Sequence, residues 1–398
     1  MKRLNGNLLY GQSGGPTAVI NASAYGVISE AKKHPEIENI YCLQYGISGV
    51  FNNEFVDLTY EDDDTLKLLL NTPGAAFGST RHKITKEEEY EEIYKFFLRN
   101  NIRYFFYNGG NDSMDTCNKI ARYFKKVGYE CNVIGIPKTI DNDLALTDHC
   151  PGFGSAAKYI ANQVSEIVCD CKSYKKGRVT IIEIMGRNTG WLAASSSLAC
   201  LSNNGPDLIY LPENPFIKDK FFKEVKEIYD KKGYCIVCVA EGIKDESGKY
   251  ISDLGQVDAF GHAQMGGTAL YLANELTNKG VKTRAIELNL SQRCASHLAS
   301  KTDLNEAIAA GKFGVKQALQ NKTNLMIGFE RVNNKCVCKA FNLDEIANVE
   351  KFVPKSMINE SLNHVTKEFT DYCLPLIQKE YRPKYKNGLL KFVDYKDR

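Results

Sequence analysis

Seven residues, Pro137-Lys138-Thr139-Ile140-Asp141-Asn142-Asp143, concentrate more reactive chemistry than any other stretch of the chain. They bring an ammonium, a hydroxyl and two carboxylates two positions apart, directly after the apolar run Val133-Ile134-Gly135-Ile136. Proline disfavours the helical region for the residue before it, so the heptad is expected to leave that run in an extended state. Side chains of an extended segment alternate faces, which would set Asp141 and Asp143 on one side. One carboxylate can then take a proton while the other holds a metal ion, and Lys138 can attract a polyanion. That is the outline of a phosphoryl-transfer site. The plain alternative is an acidic turn that hydrogen-bonds its own backbone. Lys138 and the paired aspartates are more than such a turn requires.

Three other loops carry chemistry. Gly11-Gln12-Ser13-Gly14-Gly15-Pro16-Thr17 follows a strand-like run and precedes helix-like sequence. Its glycines let backbone N–H groups approach an anion, and a helix N-terminus would add partial positive charge. A glycine-rich turn with no anion-binding role fits the same residues. Asn108-Gly109-Gly110-Asn111-Asp112-Ser113 repeats the pattern, with Asn111, Asp112 and Ser113 equally readable as the N-cap of a helix. In Glu183-Ile184-Met185-Gly186-Arg187-Asn188-Thr189-Gly190-Trp191 a strand ends in Gly-Arg. A guanidinium there can grip a phosphate with two parallel hydrogen bonds; a surface arginine near a buried tryptophan is the bland reading.

The elements that must hold these loops are legible as alternation. Strand candidates are 8–10, 40–43, 104–107, 133–136, 179–184, 207–211 and 234–240, each followed by a Gly- or Pro-containing loop and then helix-like sequence such as 117–126 and 220–232. Such alternation predicts an α/β fold of mainly parallel sheets covered by helices on both faces, with ligand loops at the carboxyl ends of the strands. The length of 398 residues allows two domains, with a boundary near Cys150-Pro151-Gly152-Phe153-Gly154. The tail after Lys379 is basic and rich in tyrosine, suited to plain surface or to packing against another element.

Taken together the loops resemble the phosphofructokinase family, in the family's order, from Gly11 to about residue 310. Ser13-Gly14-Gly15, Pro73–Arg81, Gly109–Ser113, the heptad, Met185-Gly186-Arg187, Ala240-Glu241-Gly242 and Arg284 with Arg293 carry the match. The resemblance implies two similar three-layer αβα domains with the active site in the cleft between them. It divides the chain into a phosphoryl-donor domain, 1–152 completed by about 297–350, and a fructose 6-phosphate domain, 153–296. Residues 351–398 are then a C-terminal segment packing on the body. It also implies transfer of a phosphoryl group to the 1-hydroxyl of fructose 6-phosphate. By similarity Asp141 is the base, and Asp143, with Asn111, holds Mg²⁺. Gly14, Gly15, Asp112, Ser113 and Lys138 would bind the donor, while Arg81 would bridge both substrates. Thr139, Ile140, Asp141, Met185, Gly186, Arg187 and Glu241 would line the sugar pocket. Arg178, Arg284 and Arg293 would bind the 6-phosphate, the first two from a neighbouring subunit of a dimer or tetramer with shared sites.

The donor follows from two positions. ATP-using members typically have glycine at the positions of Asp112 and Lys138, whereas pyrophosphate-using members have Asp and Lys, as this chain does. A carboxylate at Asp112 would sit where a nucleotide's α-phosphate must go. Two like unit charges about 4 Å apart repel by ~1 kcal/mol in water and ~4 kcal/mol at an effective dielectric of about 20. Pyrophosphate ends before that point. An ATP-dependent enzyme and a non-catalytic sugar-phosphate-binding regulatory subunit are the alternative readings. A kinase of NAD or lipids would share only the Gly-Gly loop.

Some residues depart from the family pattern: Asn111 for a common aspartate, Pro16 for another, and Leu290 for a histidine or tyrosine. Gly261–Gly267 resembles a loop of the pyrophosphate branch. The C-x-x-C spacing of Cys235 and Cys238 falls inside an apolar run and reads as buried thiols rather than a redox pair. Cys336 with Cys338 lacks a second half for a zinc site, and the 6 histidines do not cluster at ligand spacing. A net charge of +3 gives no reason to expect nucleic acid as a partner. With 13 scattered cysteines and no long apolar stretch, the composition suits a cytoplasmic protein away from membranes.

Overall fold

A computed structural model describes residues 3–257, 263–265, 267–333, 335–346 and 349–396; side chains of 253–257 and 263–265 are outside the description. In chain order the principal strands are β1 (Gly6–Gln12), β2 (Ile37–Leu43), β3 (Phe55–Asp57), β4 (Ile102–Gly109), β5 (Asn132–Pro137), β6 (Val179–Ile184), β7 (Leu208–Tyr210), β8 (Cys235–Ala240), β9 (Asp253–Val257), β10 (Ala263–Met265), β11 (Thr283–Glu287), β12 (Leu325–Val332) and β13 (Lys335–Asn342).

The chain divides into two compact units. The first comprises 1–155, 293–350 and 379–398, and the second 156–292 and 351–378. Residues 351–398, read from sequence as one C-terminal segment, are thus split between the two units at residue 378. Of the Gly261–Gly267 loop, residues 261, 262 and 266 and the side chains of 263–265 lie outside the described residues, and no role is assigned to it.

The first unit is built on a seven-stranded sheet in the order β13-β12-β5-β4-β1-β2-β3. Its five central strands, from β12 to β2, run parallel, and antiparallel β13 and β3 close the two edges. Strands β1, β4 and β5 are apolar at consecutive positions because both faces are covered. Leu8, Tyr10, Tyr104, Phe106, Ile134 and Ile136 pack on one side, with apolar residues of the helices Ile20–Ala31 and Lys301–Ala318. Leu9, Phe105, Tyr107 and Val133 point the other way, against the helices Glu87–Arg99 and Asn111–Val127. The period of two along each strand therefore produces three layers.

The second unit holds a four-stranded parallel sheet, β11-β6-β8-β7. The helices Thr268–Asn278 and Lys218–Lys232 pack on it through Leu272 and Leu276, and through Phe221 and Val225. All six residues of β8 are buried. Cys235 and Cys238 stand three apart in that strand and so face opposite sides, which rules out pairing between them.

Candidate active site

Lys138 is the centre of the first unit's site. It is 3% exposed, and its Nζ donates 2.6 Å to the carbonyl oxygen of Gly15. Gly14 and Gly15 make room for cations. A methyl group at Gly14 would stand 3.3 Å from Lys138 Nζ, and one at Gly15 3.0 Å from Arg293 Nη1. The loop's own amides are partly committed: Ser13 and Gly14 donate to the Asn108 and Thr80 carbonyls at 2.9 Å each. The helix that follows begins only at Ile20, so its N-terminus is five residues from Gly15. The positive charge at this loop therefore comes from side chains, not from a helix end directly behind the glycines.

Burial pushes the Lys138 ammonium down to about 8, against the attraction of Asp141 and Asp143, and Arg293 and Arg81 push the same way as burial. Arg293 is itself lowered, by burial and by Arg81. Two guanidiniums and an ammonium held this close suit a polyanion.

The heptad is not extended throughout. Pro137 ends β5, Lys138 N–H donates to the Gly109 carbonyl, and Thr139 bridges to Gly152. Asn142 then adopts a left-handed φ of 56°, fixed by its Oδ1 accepting from the Cys150 N–H at 3.0 Å. This breaks the alternation on which a shared face for Asp141 and Asp143 was expected. What joins them is Thr139: its Oγ1 accepts from the Asp141 N–H at 3.1 Å, and its side chain also hydrogen-bonds Asp143. Burial raises the Asp143 carboxyl, and the charge of Glu350 adds to the rise. Glu350 enters through a bridge to Leu144, a neighbour that sequence spacing cannot show across two hundred residues.

Asn111 Nδ2 lies 3.5 Å from Asp143 Oδ2, and the Oδ1 atoms of both residues are buried without a hydrogen-bond partner among the described residues. Oxygen donors left unsatisfied together fit a hard divalent cation. Asn111, Asp112 and Ser113 do not cap the helix Asn111–Val127; the N-cap is Gly110, and they form its first turn. Ser113 folds back on Gly109, where a Cβ would fall 1.9 Å from its Oγ. Asp112 is 68% exposed and paired with Lys83 at 3.1 Å. Its repulsion of a nucleotide's α-phosphate therefore lies near the watery limit of ~1 kcal/mol rather than the ~4 kcal/mol of a half-buried site. Lys83 had no signal in the sequence.

In the second unit, Met185, Gly186, Arg187 and Glu241 meet at the carboxyl ends of β6 and β8. Gly186 N–H points at Glu241 Oε1 (3.4 Å), Met185 N–H donates to Gln292 Oε1 (3.2 Å), and Gly242 N–H donates to the Gly186 carbonyl (3.2 Å). Gly186 has a φ of 135°, and a Cβ at Gly242 would lie 1.8 Å from the Arg187 carbonyl oxygen. Burial raises the Glu241 carboxyl. Trp191 is core, with its Nε1 donating to the Lys351 carbonyl at 2.9 Å. Arg178 and Arg284 are elsewhere: both are exposed, at the amino ends of β6 and β11. Six residues rising about 3.3 Å each put ~20 Å between the ends of β6. One protomer does not bring these two arginines to Met185–Arg187.

One cluster lies apart. His149 is buried between Asp148 (2.8 Å) and Glu306 (2.9 Å), and Arg331 grips Asp148 with two hydrogen bonds. Its imidazole is raised well above the usual histidine range, the two carboxylates outweighing burial. Cys336 Sγ stands 3.9 Å from Nδ1, so Asp148, His149 and Cys336 group in space although no spacing along the chain suggests it.

The sequence pattern of the phosphofructokinase family matches residues 7–317. The chain belongs to the phosphofructokinase family. Among curated proteins, this phosphofructokinase is 41% identical to the pyrophosphate–fructose 6-phosphate 1-phosphotransferase of Halomonas elongata, over 97% of this chain and 95% of the relative. It is 41% identical to the enzyme of the same name from Xanthomonas campestris pv. campestris, over 99% and 97%. The crystal structure of the pyrophosphate-dependent phosphofructokinase from Marinobacter aquaeolei superposes with a TM-score of 0.90 at 40% identity, covering 99% of this chain and 97% of that one.

Proposed function

We infer that this phosphofructokinase moves a phosphoryl group from pyrophosphate to the 1-hydroxyl of fructose 6-phosphate, reversibly, giving fructose 1,6-bisphosphate and phosphate. The observation that carries the reading is the buried Lys138, held over Gly14 and Gly15 beside Arg81 and Arg293. Lysine at this position together with Asp112, the pair read from the sequence, marks a donor that ends after two phosphates. The identity to relatives named for this reaction, over nearly their whole length, supports the same donor.

Phosphoryl transfer needs positioning and charge neutralisation more than covalent chemistry. Asp141 takes the proton from the sugar 1-hydroxyl, with its main chain braced by Thr139. Arg81 and Lys138 neutralise donor phosphate oxygens, Arg293 beside them serves the sugar's 6-phosphate, and Asp112 and Ser113 bound the donor pocket. Ile140, Met185, Gly186, Arg187 and Glu241 hold the sugar phosphate. Mg²⁺, when bound, neutralises pyrophosphate charge, and Asn111 and Asp143 would hold it. Asn111 supplies an oxygen but no charge. Arg178 and Arg284 serve the 6-phosphate of a neighbouring subunit, which makes the enzyme a homo-oligomer. Thiols free of disulfides support a cytoplasmic setting. No helix among the described residues is long and apolar enough to cross a membrane.

The test is a coupled assay with Mg²⁺ and fructose 6-phosphate. Pyrophosphate should support turnover at least a hundredfold better than ATP, and Asp112→Gly should narrow that ratio. Faster turnover with ATP than with pyrophosphate would overturn the donor assignment.

A further inference from the structure

The loop that carries Arg81 is gripped from two sides, and only one of them belongs to the family motifs. On the first side Asn21 donates to the Thr72 and Gly74 carbonyls at 2.8 Å and accepts from Ala76 N–H at 3.1 Å. Ser79 Oγ donates to the Gly14 carbonyl at 2.6 Å, and Ser48 and Thr80 hydroxyls meet at 2.8 Å. The second side is residues 391–396, which run along the same loop. Asn71 Nδ2 donates to the Lys391 carbonyl (3.4 Å), Val393 N–H to Thr72 Oγ1 (3.0 Å), and Tyr395 N–H to the Ala76 carbonyl (3.1 Å). Gln44 Nε2 then ties down the Tyr395 and Lys396 carbonyls at 2.9 and 3.0 Å.

The Tyr395 ring is wholly buried and lies flat on Phe77, with centroids 5.1 Å apart at 14°. Phe77 in turn stands edge-on to Tyr10 of β1. Three residues separate Phe77 from Arg81, and the first of them, Gly78, turns with a φ of 74° against the Tyr45 ring. A rigid anchor this close to an exposed guanidinium limits the volume its head can sweep. The loop's geometry upstream of Gly78 therefore depends on the tail as well as on Asn21.

We propose that residues 391–396 are a clamp that positions Arg81 for the reaction, with Tyr395 as its positioning residue. The proposal rests on the reading of Arg81 as the group bridging both substrates. It assigns the tail a role in turnover rather than only in stability. A displacement of about 1 Å in a group bridging reacting phosphates costs on the order of a hundredfold in rate.

The experiment has two readouts. Tyr395→Ala should lower kcat with pyrophosphate ten- to a hundredfold while leaving KM for fructose 6-phosphate within about twofold. Tyr395→Phe, which keeps the stacked ring, should restore kcat. In an Arg81→Ala background Tyr395→Ala should cost nothing further, because residues acting through one group are not additive. The second readout is independent of the donor: trypsin cleavage after Arg81 should accelerate at least tenfold in Tyr395→Ala, with sites outside this loop and the released tail, which carries Lys391 and Lys396, unaffected. Val393→Ala, a milder change in the same clamp, repeats the series if Tyr395→Ala fails to fold. Wild-type kcat in a folded variant, or losses that multiply with that of Arg81→Ala, would overturn the clamp. So would unchanged cleavage after Arg81. A wild-type protein inactive with pyrophosphate would instead sink the functional reading, and the trypsin series would still decide the clamp.

Discussion

At the scale of residues, Lys138 shows how burial turns an ordinary side chain into a titrating one. Its ammonium loses a proton around pH 8 because burial outweighs the pull of Asp141 and Asp143. KM for pyrophosphate should therefore climb about tenfold per pH unit above that point, and in Lys138→Arg the climb should disappear, since a guanidinium stays charged. An alkaline limb identical in both proteins would show that another group titrates. The stability effect has the opposite sign. In the unfolded chain the lysine titrates near its ordinary 10.5, so between about 8 and 10.5 the unfolded state holds the extra proton and stability rises with pH. The residue types at this site were legible in sequence; their mutual arrangement was not. The heptad announces a lysine and two carboxylates, but the left-handed Asn142 that sets their directions depends on a hydrogen bond from Cys150. Glu350 and Lys83 reach Asp143 and Asp112 through tertiary structure alone.

At the scale of elements, the strands read from sequence are those whose apolar runs are continuous, because strands buried on both faces need no alternation to announce them. The seven candidates up to residue 240 all form. Of the strands with no sequence candidate, β3, β9 and β10 are three to five residues long and β11 and β13 are half-exposed edges, whereas β12 has no candidate although Leu325-Met326-Ile327-Gly328-Phe329 is a continuous apolar run. The turn after β6 is where element geometry bears on chemistry. Gly242 lets the chain after β8 pass against the Arg187 carbonyl with no room for a side chain. Gly242→Ala should cost about 2 kcal/mol in chemical denaturation and raise KM for fructose 6-phosphate roughly tenfold by shifting Arg187. An unchanged KM would mean that this close approach does not set the arginine.

At the scale of the whole molecule, the positions of Arg178 and Arg284 bear on assembly. Both stand about 20 Å along the sheet from the Met185–Arg187 turn, so their proposed phosphate belongs to a neighbour. Arg178→Ala and Asp141→Asn should each be nearly inactive, yet dissociating and reassociating a mixture should recover activity. In a dimer, half the particles are hybrids with one intact site of two, which gives about a quarter of wild-type turnover. No recovery, with mixed oligomers verified by mass, would make each site self-contained. The division into two units was not fully legible either: nothing in the composition of 351–398 tells that residues 351–378 join one unit and 379–398 the other.

The stacking of Tyr395 on Phe77 also has a meaning in time. The two rings are more than three hundred positions apart, among the longest separations the chain closes. Loop closure over such a distance comes late, after the parallel sheet on which Phe77 rests. A refolding molecule thus regains its secondary structure first and the anchorage of its Arg81 loop last. If the clamp holds Arg81 as proposed, activity should return more slowly than helix and sheet content in a refolding time course, and coincident recovery would refute that order.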